Sequence, residues 1–149
     1  DLRRNGGTIV FDPNLRPGLW PSSAEMTDSI MQAAAVSDIV LPSFEDEAAW
    51  FNDADIAATA ARYRASGAHM VVVKNGPDEI LAVAEGASSR HQPCPVTTVV
   101  DTTSAGDAFN AGFLAGHIAG KPLAEAIEMG ARLAAQVVQA RGALVACTL

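Results

Sequence analysis

Short, unbroken apolar runs alternate with longer stretches in which apolar residues recur every three or four positions. Thr8-Ile9-Val10-Phe11, Ile39-Val40-Leu41 and Met70-Val71-Val72-Val73 are rich in β-branched residues and predict buried strands. Continuous rather than alternating apolar character sets the third in the middle of a parallel sheet covered on both faces. Between the first two runs, Ser22 or Ser23 caps a helix on which Ile30, Met31, Ala34 and Ala35 share a face, broken by Ser37-Asp38. Alanine-rich sequence from Asp53 to Ala65 predicts another helix, stopped near Ser66-Gly67. Ile80 to Ala84 and the run up to Val96 predict a hairpin turning at Glu85-Gly86-Ala87-Ser88-Ser89, and Val96 to Val100 predicts a further strand. A helix follows from Gly106, with Gly112 and Gly116 forming a small-residue face suited to lying close to the sheet. Gly120-Lys121-Pro122 ends it, and Leu123, Ala126, Ile127, Gly130, Ala134, Val137 and Val138 mark a second amphipathic helix stopped by Gly142. Strands alternating with helices through long crossovers predict an α/β fold: a doubly wound, mostly parallel sheet flanked by helices. No repeat or linker is visible.

Composition narrows the partners. Ten Lys and Arg stand against 17 Asp and Glu, a formal charge of −7, which argues against a nucleic-acid groove or an anionic membrane surface. No apolar run approaches the length of a membrane-spanning helix. Cys94 and Cys147 lack metal-ligand spacing and read as free thiols of a reducing compartment. His91 and Cys94, flanked by proline, do not read as ligands. The chain opens on Asp1 rather than Met, and Leu2-Arg3-Arg4-Asn5-Gly6-Gly7 reads as the tail of a helix and its glycine stop. These residues read as the later part of a longer protein.

Chemistry concentrates at Asp101-Thr102-Thr103-Ser104-Ala105-Gly106-Asp107-Ala108-Phe109-Asn110-Ala111-Gly112. An apolar run ends in a turn of small residues and a helix begins at once. The first amides of a helix have no partner within it, and its dipole favours negative charge, so such a turn is an anion site. Asp107 inside it would repel a phosphate. It is either a first-turn acid complementing the dipole or a base taking the proton from an attacking hydroxyl. A second cluster follows the first strand, in Asp12-Pro13-Asn14-Leu15-Arg16-Pro17-Gly18-Leu19-Trp20. In open parallel sheets ligands bind at this edge. Asn14 offers an amide, and Arg16 either clamps a carboxylate or phosphate or pairs with Asp12. Trp20 is expected to pack the loop on the core. After the third strand, Gly76 lets backbone approach a ligand and Lys74 is a candidate phosphate partner, unless the segment is a plain turn with a solvated lysine. Glu45-Asp46-Glu47 reads as first-turn acids, with water-mediated support of Mg²⁺ as the alternative. No residue is assigned as a metal ligand.

The Asp101–Phe109 string resembles the DTxGAGDxF signature of ribokinase-like sugar kinases of the phosphofructokinase-B type, with Ser104 where most members carry glycine. FDPNLRPGLW is similar to the FDxNxRxxLW segment of the 2-keto-3-deoxygluconate kinases, and Arg141-Gly142-Ala143 to their C-terminal signature. The resemblance spans essentially the whole chain but only the C-terminal half of such a kinase. It implies a cytoplasmic enzyme using ATP and Mg²⁺ to phosphorylate a sugar acid, most directly 2-keto-3-deoxygluconate. It makes Asp107 the base that also touches the substrate hydroxyl, and the amides of Ser104, Ala105 and Gly106 the anion hole. Asn14, Arg16, Lys74, Gly76, Ser104 and Gly106 would lie along the nucleotide, with Arg16 also reaching the acid end of the substrate. Lys74 and Gly76 fit the family's KxGxxG loop, with Glu79 replacing the second glycine. Ser43 and Asp46 replace the usual Asn-x-x-Glu. Most sugar contacts and a β-sheet lid, often the dimer contact, would belong to an N-terminal half outside this sequence. A sister kinase for fructose, ribose or a nucleoside, and a non-catalytic nucleotide-binding module, are the rival readings.

Overall fold

The computed structural model describes residues 3–148, so the part of the opening helix-tail reading that falls on Leu2 lies outside the described residues. Arg3–Asn5 form a 3-10 turn that ends at Gly6, with φ of +76°. The chain falls into two compact units, Asp1–Gly76 with Ile80–Arg90, and Pro77–Glu79 with His91–Leu149.

The first unit carries a five-stranded mixed sheet in the order β1-β2-β3-β4-β5, flanked by helices. Strands β1 (Val10–Phe11), β2 (Ile39–Val40) and β3 (Met70–Val73) run parallel, with Val10 paired to Ile39 and Ile39 to Met70. β4 (Ile80–Ala84) returns antiparallel to β3, and β5 (Ala87–His91) lies beside it. The hairpin turns at Gly86, whose φ of +68° an L side chain adopts only with strain, so its second strand starts and ends earlier than the apolar run suggests. Val71, Val72 and Val73 are all fully buried, as the unbroken run predicts for a central strand.

Helices α1 (Ser23–Ala35), α2 (Phe44–Phe51) and α3 (Ile56–Ala65) fill the crossovers. Ser22 caps α1 by accepting the Glu25 amide at 3.1 Å, and Met26, Ile30 and Ala34 form its buried stripe, while Ala35 is exposed. α3 starts at Ile56 rather than Asp53, because Asp55 caps it and Asp53 turns back to Arg62 and Thr59. The core joins Leu15, Met26, Ile30, Val40, Tyr63, Val71, Val73 and Leu81, with Trp20 packed against it as expected.

The second unit is built on α4 (Ala105–Ile118) and α5 (Leu123–Val137). The small face of α4 meets α5 rather than serving the expected approach to the sheet. A Cβ on Gly112 would stand 2.5 Å from the Met129 carbonyl oxygen, and one on Gly130 2.7 Å from that of Phe109. Both helices lack side-chain bulk at the crossing, so their backbones touch.

The strand expected at Val96–Val100 is corrected: these residues pair with no strand among the described residues. A strand needs a neighbour for its ladder, and here the Val100 amide donates to the Val138 carbonyl at the end of α5 instead, at 2.7 Å. Val99 and Val100 stay exposed.

Candidate functional site

In the first unit, the carboxyl ends of three parallel strands deliver the polar groups. The Lys74 amide donates to the Pro42 carbonyl and the Phe44 amide to the Lys74 carbonyl, both at 2.8 Å. These bonds continue the β2–β3 pairing one step beyond the strands and seat the start of α2 beside Lys74. The Lys74 stem is buried, and its ammonium reaches over β2 to Asp12 Oδ2 at 2.8 Å. A solvated lysine is therefore excluded. Asp12 pairs with this lysine, not with Arg16 as one sequence reading had it.

Arg16 is exposed, and its Nη1 donates to the Leu15 carbonyl at 2.8 Å. Asn14 is also exposed. Its φ of +38° is held by its own amide donating to Asp12 Oδ1 at 3.1 Å, a turn that asparagine tolerates better than most residues. Gly76, exposed with a φ of +56°, has open space where a side chain would begin. Asp46 completes the cluster. Burial raises its pKa above the ordinary carboxylate value, Glu45 and Asp12 push the same way, and Arg16 and Lys74 pull it down. This edge thus gathers Asp12, Arg16, Asp46 and Lys74, a mixed-charge strip at the place where α/β sheets bind ligands.

Glu47 leaves that strip entirely. It is fully buried, accepting from Arg62 Nη2 at 2.6 Å and from the Tyr63 hydroxyl at 3.0 Å. Burial pushes its carboxyl up to about 7, against the pull of Arg62 and Tyr63. The sequence reading grouped it with the first-turn acids. The overlooked signal is spacing: Glu47 lies three residues after Phe44 and four before Phe51, on the face that both phenylalanines turn to the core. Arg62 and Tyr63 carry no such signal, since they lie 15 and 16 residues further along the chain and nothing local marks them as its partners.

In the second unit, Asp101 braces the turn. Its Oδ1 accepts the Thr103 amide and its Oδ2 the Gly142 amide, each at 2.9 Å. Hydrogen bonds from the Thr103 side chain, the Gly142 amide and the Thr103 amide hold its pKa down at about 2. Ser104 then sits in the left-handed region, φ +62° and ψ +14°, at the N-cap of α4. The Ala105 amide, expected in the anion hole, donates to the Thr102 carbonyl at 3.1 Å. The amides of Ser104, Gly106 and Asp107 hold no hydrogen bond to another described residue. Asp107 itself is exposed in the first turn of α4. The unit therefore presents open amides beside an accessible carboxylate, and it brings Ser104, Gly106 and Asp107 together.

His91 Nε2 lies 3.0 Å from Glu128 Oε2, and no group of three or more His, Cys, Asp or Glu among the described residues could hold a metal ion. A Mg²⁺ carried by nucleotide phosphates keeps most of its water and needs only one or two carboxylates. Asp46 fits that need by its chemistry and place: it is a half-buried carboxylate that shares this edge with Asp12.

The described residues thus present two clusters of chemistry, an exposed carboxylate beside open amides at the head of α4 in one unit and a charged strand edge in the other. The chain belongs to the pfkB family of carbohydrate kinases, whose family model matches residues 1–148. It is 40% identical over 146 residues to the 2-dehydro-3-deoxygluconokinase of Haemophilus influenzae, covering 97% of this chain and 46% of that protein. A PfkB protein from Polaromonas superposes with a TM-score of 0.84 at 35% identity, over 93% of this chain and 45% of that one. An Escherichia coli protein described as ribokinase II, solved with ATP and Mg²⁺, gives 0.82 at 27% identity, over 95% and 46%. The chain thus spans about half the length of the curated relatives it matches. No helix among the described residues is long and apolar enough to cross a membrane.

Proposed function

We propose that the full-length protein transfers the γ-phosphoryl group of ATP to a sugar acid, 2-keto-3-deoxygluconate, giving its 6-phosphate. In this reading the chain is the nucleotide-binding and catalytic part of that kinase. The observation that carries it is the exposed Asp107 beside the unengaged amides of Gly106 and Asp107.

The Asp107 carboxylate accepts the proton of the primary hydroxyl while its oxygen attacks the γ-phosphorus. A new O–P bond forms, the bond to the β–γ bridging oxygen breaks, and ADP leaves. The open amides at the head of α4 face the charge that gathers on the transferring group. Donors fixed before the reaction need little reorganisation, and each contributes about 3–4 kcal/mol by analogy with oxyanion holes. Mg²⁺, when bound, neutralises charge on the nucleotide phosphates, and Asp46 is the side chain that would hold it through water. Lys74, neutralised by Asp12, would shape the nucleotide edge more than it attracts phosphate. Arg16, exposed, is left for a ligand carboxylate or phosphate, and a neutral sugar has no use for such a clamp. Exposed free thiols at Cys94 and Cys147 suit a reducing, cytoplasmic setting.

The test is coupled ADP release from the full-length protein with 2-keto-3-deoxygluconate, fructose, ribose and a nucleoside in parallel. The expected result is turnover that depends on the sugar acid and exceeds that with each neutral substrate by at least about tenfold in kcat/KM, a discrimination that one ligand-side charge contact can supply. Preference for a neutral sugar would remove Arg16 from substrate recognition. Nucleotide binding without turnover on any of them would favour the non-catalytic module.

A further inference from the structure

Glu47 occupies a place that carboxyl groups rarely take, fully buried one residue beyond Asp46. Its two oxygens are satisfied by Arg62 Nη2 at 2.6 Å and the Tyr63 hydroxyl at 3.0 Å. Arg62 is fixed in turn. Its Nη2 also reaches Asp53 Oδ2 at 2.6 Å, its guanidinium lies 3.7 Å over the Phe51 ring, and the Thr59 hydroxyl donates to Asp53 at 2.8 Å. The network ties the start of α2, the α2–α3 turn and α3 into one directional assembly.

Apolar residues of similar volume often replace such buried pairs with no loss of stability, so holding the helix down does not require a carboxyl here. What hydrogen bonds add is direction. Phe44 and Phe51 press α2 onto the core but tolerate small rotations about its axis, whereas bonds of 2.6–3.0 Å do not. Successive helical residues are about 100° apart, so a fixed Glu47 fixes where Asp46 points. The other end of the same turn is held by the Phe44 amide on the Lys74 carbonyl at 2.8 Å.

We propose that Glu47 is a positioning residue: its buried bonds to Arg62 and Tyr63 set the rotation of α2 and aim the Asp46 carboxylate at the edge formed by Asp12, Arg16 and Lys74. The inference rests on the proposed kinase reading, in which this edge receives MgATP.

The experiment measures, in the full-length protein, calorimetric affinity for ATP with Mg²⁺ and with EDTA, alongside melting temperature. Partners that orient a metal-side ligand typically matter by roughly tenfold or more, so Glu47→Leu is expected to weaken MgATP binding by about tenfold and metal-free ATP by less than about twofold. Glu47→Gln, which can still accept from both partners, restores most of the loss. Adding Asp46→Asn to Glu47→Leu brings no further loss, because the aim is already gone. Should Glu47→Leu fail to fold, Tyr63→Phe removes one bond at nearly constant volume and is expected to weaken MgATP selectively by a smaller factor. Variants that melt lower yet keep wild-type Mg²⁺-dependent affinity, or that lose both nucleotide forms equally, overturn the inference alone. A wild-type protein that binds neither form overturns the kinase reading and the inference with it.

Discussion

Ser104 carries the clearest local tension in the chain. Its φ of +62° lies where a Cβ crowds the backbone, costing roughly 1–2 kcal/mol. Glycine would remove that cost but give the unfolded chain more freedom, an opposing effect of about 0.5–1 kcal/mol. Ser104→Gly is therefore expected to stabilise the protein by up to about 1.5 kcal/mol, read as a higher melting temperature. A lower midpoint would mean that the serine hydroxyl, which makes no cap bond here, supplies something that the geometry does not reveal. Asp101 shows the opposite case. It is only half-buried, yet its donors hold it ionised far into acid, so the turn keeps its brace at any pH where a kinase works.

Helix pairing decides the second unit. Gly112, Gly116 and Gly130 let α4 and α5 touch backbone to backbone. Gly112→Ala gains about 1 kcal/mol of helix propensity but drives a Cβ to 2.5 Å from the Met129 carbonyl oxygen, an overlap that only a helix shift relieves. Overpacking of this kind costs about 1–3 kcal/mol, so the variant is expected to melt lower than wild type. An unchanged or higher midpoint would show that the crossing yields easily. The glycines were legible as a close-packing face, but their partner was not, because i, i+4 spacing says which face is small and nothing of what meets it. The three strand runs, a serine cap at Ser22 or Ser23 and the two C-terminal helices could likewise be read from pattern alone, since each is a local preference. The Val96–Val100 run misled for a non-local reason: β-branched sequence signals a strand, but a ladder needs a second strand, and here the end of α5 takes the amide. Glu47 and Arg62 were hidden in the same way, 15 residues apart in sequence and joined only by folding.

The whole chain places its two clusters of chemistry in two compact units, the charged strand edge in one and the open helix head in the other. Of the second, the residues alone marked a turn of small residues opening a helix that carries Asp107, and the family resemblance supplied the catalytic reading; that the Ala105 amide turns back to Thr102 was not visible. Of the first, Asn14, Arg16, Lys74 and Gly76 were visible, but the Lys74–Asp12 pair across an intervening strand was not, since it depends on strand order. Charge, composition and the pfkB match over residues 1–148 agree with a small-molecule kinase. The chain spans about half the length of the curated relatives it matches, and the proposed activity is therefore tested on the full-length protein. The most direct test compares wild type with Asp107→Asn in that protein, measuring ATP affinity and sugar-acid-dependent ADP release side by side. The account predicts ATP binding within about twofold of wild type and a kcat lowered by about 10²–10⁴-fold, the loss expected when a general base is removed. Undiminished turnover in Asp107→Asn would contradict it.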